Sequence, residues 1–352
     1  MDVNKLIAYI ENSFLSDLLM NESVTDISYN GDSIYYLDNN LGRQKRDTQV
    51  EPQLVRDFIR QIANLAEKQF SYQEPELDVS FGRYRLTALH QTICRKRNME
   101  CICFSLRIAS KKLRIKEDEK YFPKEICDLL DVLIDSNVSI VIGGLTGSGK
   151  TELQKYLISR MKENTRTIVI DNILELDQLE IEQNLDLNIW QVDDNRLNTS
   201  IQNLVKIALR SNPDWLIVAE SRGKEMLEVL NSSLTGHPII TTCHAFDIKS
   251  MPYRMARMVM MNEQKMDFDD VYQDIAYHMR FYIYLERKYR RNGEPLRYVS
   301  SIAYLNGKEM EEIYGNDGNN KKYRPLPYPA LNLLNVDNGS DLFKRVFIGG
   351  NK

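Results

Sequence analysis

Residues 3–20 place Leu6, Ile7, Ile10, Phe14 and Leu18 at helical spacing, which predicts a helix with one apolar stripe. "VTDISYNGDSIYYLD" alternates apolar and polar residues on both sides of Asn30-Gly31-Asp32 and reads as two short strands joined by a turn. "PQLVRDFIRQIANLAEK" returns to helical spacing, with Leu54, Phe58, Ile62 and Leu65 on one face. "LDVSFGRYRLTAL" and "ECICFSLRI" then read as strands, and together these elements predict a small α/β domain over residues 1–108.

The pattern changes at "ASKKLRIKEDEKYFP", a charged stretch closing on Pro123, which gives a linker over 109–122. From Pro123 helix and strand patterns alternate: helix 123–136, strand 138–142, helix 151–163, strand 166–171, helix 197–210, strand 214–219, helix 222–234 and strand 238–243. Such alternation predicts a mostly parallel sheet with helices on its faces. Two alternating runs around Asn292-Gly293 in "RFYIYLERKYRRNGEPLRYVSSIAYL" predict a hairpin, and a second domain runs to about residue 310. "GNDGNNKKYRPLPYP" is polar and rich in turn formers, so 311–352 is expected to be a loosely packed polar tail.

Bulk properties narrow the options. A chain of 352 residues suits about two domains. A formal net charge of −4 argues against a protein whose main partner is nucleic acid. The basic clusters "RKR" (95–97), "KKLRIK" (111–116) and "RKYRR" (287–291) read as solvated surface charge. No apolar run approaches a membrane span and "MDVNKLIAYIENS" is not signal-like, so the expectation is a cytoplasmic protein, able to act peripherally at a membrane. Cys94, Cys101, Cys103, Cys127 and Cys243 are odd in number and fit neither a zinc nor a disulfide spacing, so reduced thiols are expected.

Chemistry concentrates after the linker. "VIGGLTGSGKTELQKYLISRM" carries G-x-x-x-x-G-K-[ST] in Gly144, Gly149, Lys150 and Thr151, between an apolar strand and a helix, which is the setting of a phosphate-binding P-loop. Glycines let successive N–H groups turn toward oxyanions, and the helix N-terminus adds partial positive charge. The candidate nucleotide-binding set is Gly144, Leu145, Thr146, Gly147, Ser148, Gly149, Lys150, Thr151 and Glu152. Lys150 would reach the β- and γ-phosphates of ATP and the Thr151 hydroxyl would ligate Mg²⁺. "IVIDNILELD" puts Asp171 and Glu175 at the end of one strand, and "NPDWLIVAESRG" ends another in Glu220, a carboxylate placed to hold Mg²⁺ through water and to orient the attacking water. "SSLTGHPIITTCHAF" brackets a further strand with His237 and His244, and His244 with Thr241 and Thr242 is a candidate reporter of the γ-phosphate.

In this order, the P-loop, the acidic box, "AESRG" and "TGHPIITTCHA" resemble the traffic ATPases of type II and type IV secretion, over about residues 20–260. "VTDISYNG", "ELDVSFGRYRL" and "FSLR" are similar to that family's N-terminal domain. The "RGKE" after Glu220 looks more like its conjugation and Tad-pilus branches than its retraction branch, and there is no four-cysteine zinc module. The resemblance implies a RecA-like P-loop motor domain with a smaller N-terminal α/β domain, acting with ATP and Mg²⁺. It makes Glu220 the Walker B carboxylate and a metal ligand beside Thr151, Glu175 the acidic-box carboxylate, His244 the γ-phosphate sensor, and Arg85 and Arg107 the N-terminal-domain arginines directed at the phosphates. It also implies a homohexameric ring and inner-membrane partners in a secretion, conjugation or pilus apparatus; the sequence carries no helix-turn-helix or aromatic stacking platform, so no direct nucleic-acid contact is expected.

Two positions depart from the family pattern. The box reads "DNILE", with Asp171-Asn172 where the family has Glu-Asp, and Ala219 stands where glycine is usual before Glu220. Asn172 favours a rival reading, a regulatory nucleotide-binding scaffold with little hydrolysis. A DNA-translocating RecA-like motor is a third reading, disfavoured by the acidic charge balance.

Overall fold

A computed structural model describes residues 2–115, 117–119, 122–171, 176–177, 184–192, 199–263, 265–291 and 293–349. The chain divides into two compact units, residues 1–112 with 289–296 and residues 113–288 with 297–352.

The first unit is built on a six-stranded sheet in the order Gly42–Lys45, Ile34–Asp38, Val24–Tyr29, Cys103–Ile108, Tyr84–Leu89, Glu76–Phe81. Every neighbouring pair in it is antiparallel. Period-two alternation sends Ile27, Val79, Leu86, Phe104 and Leu106 into a core with Leu6, Ile10, Phe58 and Ile62 of the helices Val3–Glu11 and Pro52–Leu65. The other face carries Asp26, Ser28, Asp78, Ser80, Arg85, Thr87, Ser105 and Arg107. The helix predicted over 3–20 is two, Val3–Glu11 and Ser16–Met20. Ser13 breaks it: its hydroxyl donates to Ile10 O at 2.7 Å and accepts from Leu15 N at 3.2 Å, giving the backbone a local alternative to the helix.

The second unit holds a nine-stranded sheet. Six strands come first, in the order Asp186–Gln191, Arg166–Asp171, Trp215–Val218, Ile239–Cys243, Ile140–Gly144, Phe281–Tyr289. All neighbours among them are parallel. Pro295–Asn306, Glu309–Asn316 and Lys321–Tyr323 continue the sheet. Ile140–Gly144 is buried at every residue, as a parallel strand covered on both faces must be. Ile140 and Ile142 face a layer containing the helices Lys124–Asp135 and Lys150–Ile158, while Val141 faces Met226–Leu234, Ser250–Val259 and Phe268–His278. No helix among the described residues is long and apolar enough to cross a membrane.

The loosely packed tail expected beyond residue 310 is not observed. Glu309–Asn316 and Lys321–Tyr323 extend the main sheet, and Tyr314, Phe343 and Phe347 are fully buried beside Ile126 and Leu130. A few large aromatics spaced through a polar stretch are enough to anchor it, because each removes a large apolar area from water. Replacing Phe347 by Ala is therefore expected to destabilise the protein by about 3–5 kcal/mol. Urea unfolding measures this, and an unchanged midpoint would restore the picture of a loose tail.

Candidate functional site

Strand register assembles the site. Ile170 pairs with Val218, Val218 with Thr241, and Cys243 with Gly143, all in parallel. The strand ends carrying Asp171, Glu220, His244 and the P-loop therefore lie along one edge, where ligands bind in open α/β sheets.

The P-loop is shaped by its glycines. Gly144, Gly147 and Gly149 have φ of +151°, +73° and +103°, backbone that side chains rarely adopt. A Cβ at Gly144 would strike Ser148 Oγ and lie 2.6 Å from Leu285 O. Ser148 Oγ is buried with no hydrogen-bond partner among the described residues. The helix Lys150–Ile158 begins directly after Gly149, so its first N–H groups face the loop. This cradle fits a polyphosphate.

Lys150 Nζ, almost buried, lies 3.0 Å from Gly144 O, 3.3 Å from Leu145 O and 3.3 Å from His244 Nδ1. His244 Nε2 is 2.9 Å from Glu220 Oε1, and Arg222 Nη2 donates to Glu220 Oε2 at 2.6 Å. A continuous polar chain thus runs from Lys150 through His244 to Glu220 and Arg222. Burial pushes the Glu220 carboxyl up, but the Arg222 hydrogen bond and the charges of Arg222, His244 and Lys150 outweigh it and hold it below its ordinary value. Burial, with the Lys150 charge second, pushes His244 below 6.5. The loop after Glu220 is fixed by Glu225, whose carboxylate accepts from the N–H groups of Arg222 and Gly223. That gives "RGKE" a local structural role.

Other expected residues fall elsewhere. Thr241 Oγ1 lies 2.9 Å from Ser221 Oγ and Thr242 Oγ1 donates to Ala219 O at 2.8 Å, so both buried hydroxyls tie strand ends together. His237 is held in its own turn by Thr235, 3.1 Å away. The Glu152 carboxylate is taken by Lys155 and by Arg114 N, so its backbone N–H is what it can offer a phosphate. Glu175 and Asn172 lie outside the described residues. Arg85 and Arg107 are cross-strand partners on the polar face of the first unit's sheet. Arg107 is exposed there, and Arg85 makes two hydrogen bonds to Asp78 at 3.2 and 2.9 Å.

Sequence reading missed three arginines. Arg222 holds Glu220, Arg297 Nε donates to Gly147 O at 2.8 Å, and the Arg287 guanidinium fills the space a Cβ on Gly147 would need. Arg287 belongs to the cluster read as solvated charge. Its strand, Phe281–Tyr289, pairs directly with the P-loop strand, and no local spacing announces that neighbour.

The profile of the T2SSE family, described as "Type II/IV secretion system protein", matches residues 92–275, more than half of the chain, and takes in the P-loop, Glu220 and His244. An uncharacterized protein of Bacillus anthracis is 27% identical over 312 residues, covering 85% of this chain and 69% of that protein. The type IV secretion system protein VirB11 of Brucella suis is 32% identical over 165 residues, covering 45% of this chain and 46% of VirB11. The match thus spans about half the length of that relative. The pilus retraction motor PilT, solved with bound ADP, superposes with a TM-score of 0.57 at 18% identity, covering 82% of each chain, which shows the shared fold. With its P-loop at the carboxyl edge of a parallel sheet and more than half its length inside the family profile, the chain belongs to the type II/IV secretion system family of traffic ATPases.

Proposed function

We propose that this chain is a Mg²⁺-dependent ATPase motor that powers type IV secretion, conjugative transfer or pilus assembly. The observation that carries the reading is the chain of contacts from Lys150 through His244 to Glu220 at the mouth of the P-loop. It supports a site in which phosphate binding and water activation are mechanically joined. The bound ADP of PilT supports nucleotide as the ligand.

Residue roles follow from the geometry. Backbone N–H groups of the P-loop and of the following helix would hold the β- and γ-phosphates, and Lys150 would turn to them from the carbonyls of Gly144 and Leu145. The neutral His244 suits its neighbours as the Nε2–H tautomer, with Nδ1 accepting from Lys150 and Nε2 lying 2.9 Å from the Glu220 carboxylate. When Lys150 moves, His244 loses the donor at Nδ1 and can itself turn to the γ-phosphate. Glu220, kept ionised, orients the attacking water and accepts its proton once Arg222 releases it. Thr151 directly, and Glu220 through water, would supply oxygen donors to a hard cation. Mg²⁺ there would neutralise charge on the transferring phosphoryl group.

The motor works as a homohexameric ring in the cytoplasm, with inner-membrane components of its apparatus as partners. Arg107 and, to a lesser degree, Arg85 would meet charge growing on the phosphoryl group. A regulatory scaffold with little turnover is the second reading, favoured by the two partners that already occupy Glu220.

Phosphate release separates the two readings. Glu220→Gln is expected to keep ATP bound and lower turnover about 10²-fold or more, and Lys150→Ala to lose nucleotide binding itself. A wild type without Mg²⁺-dependent turnover would make the scaffold reading the correct one.

Arg107→Ala is expected to bind ATP normally and hydrolyse it about 10³-fold more slowly. Unchanged turnover in that variant removes the arginine from the mechanism.

The His244 imidazole is expected to titrate below 6.5 in an NMR pH series. Lys150→Ala should move the midpoint up, and Glu220→Gln should move it further down. Because the folded value is lowered, the unfolded chain takes up this proton first. Stability from this group is therefore lost as pH falls below 6.5. A midpoint above 6.5 would contradict the neutral tautomer.

A further inference from the structure

Three of the five cysteines, Cys94, Cys101 and Cys103, meet in the first unit. Arg95–Lys96 and Met99–Glu100 form a small antiparallel hairpin. Its two central residues, Arg97 and Asn98, both have positive φ, 49° and 67°, as a tight primed turn requires. The turn sets Cys94 opposite Cys101, with Cys101 N donating to Cys94 O at 3.1 Å. Cys103, two residues on, projects to the same side as Cys101. The three Sγ atoms lie within 4.8 Å of one another, and Cys94 and Cys101 are 3.8 Å apart. Gly31, at φ +91°, leaves the space that the Cys101 sulfur fills. Lys96 fastens the hairpin to the adjoining turn through Asn30 and Asp32, at 2.9 and 3.0 Å.

We propose that Cys94, Cys101 and Cys103 form a three-thiolate site for one Zn²⁺ ion. Zinc–sulfur bonds of about 2.3 Å in a tetrahedron put sulfurs about 3.8 Å apart, which is the Cys94–Cys101 separation. A disulfide needs about 2.05 Å and joins only two of the three. Three thiolates around a divalent ion leave the site with one negative charge. The fourth position is open to a solvent ligand, and binding releases the three thiol protons. The ion would cross-link the hairpin to the start of the strand Cys103–Ile108, the strand that carries Arg107.

The full chain, reduced and free of nucleotide, is equilibrated with Zn²⁺, desalted and assayed by atomic spectrometry. About one zinc per chain is expected, and Co²⁺ in its place should show sulfur-to-cobalt charge-transfer absorption. Cys94→Ser and Cys103→Ser, at half-buried positions that tolerate the change, should keep the wild-type circular dichroism and bind Zn²⁺ at least about 10-fold more weakly. Cys127→Ala, in the other unit, should bind as wild type does. Zinc affinity unchanged in both serine variants overturns the proposal. So does a wild-type chain that retains no zinc, or one that instead loses two hydrogens to a Cys94–Cys101 disulfide.

Discussion

The parallel register around Ile140–Gly144 is the constraint on which the rest of the motor unit depends. This strand lies between Ile239–Cys243 and Phe281–Tyr289, and no residue of it reaches water. Because its neighbours run in the same direction, their carboxyl ends fall on one edge whatever the loops do. Lys150 and His244, 94 positions apart, come within hydrogen-bond distance without any local sequence signal. Slipping one strand by a residue would turn its side chains to the opposite face and dismantle the site along with the core.

Electrostatics at that edge is balanced link by link. A nearly buried ammonium needs acceptors, and Lys150 finds two carbonyls and an imidazole nitrogen. A half-buried carboxylate needs cations or donors, and Glu220 finds Arg222 and His244. Each link is also a contact that a polyphosphate would exchange for a stronger, charge-assisted one. The arrangement therefore keeps these groups adjacent through contacts that a bound polyphosphate would replace.

Much of the architecture was legible because parallel strands buried on both faces read as apolar runs, and helices between them read at a different period. The P-loop, Glu220 and His244 were legible because each sits next to such a run. The break after Glu11 was not, since a serine hydroxyl capturing backbone groups leaves the apolar stripe intact. The C-terminal segment misled for the opposite reason. Its anchors, Tyr314, Phe343 and Phe347, are too sparse to form a period, yet each is completely buried. The thiol cluster escaped because a seven-residue separation between Cys94 and Cys101 acquires meaning only once a tight turn folds it back.

Arg287 and Arg297 show the same limit at the site itself. They come from two strands on one side of the P-loop strand, and both meet Gly147, one by a hydrogen bond to its carbonyl and the other by occupying the space beside its Cα. A glycine at φ +73° is thus required twice, by the turn of the loop and by the guanidinium packed on it. A shift of the loop at Gly147 would first meet these two guanidinium groups, whose strands are Phe281–Tyr289 and Pro295–Asn306. The P-loop thus makes contacts on both sides of its strand: through Lys150 and His244 to Glu220, and through Gly147 to Arg287 and Arg297.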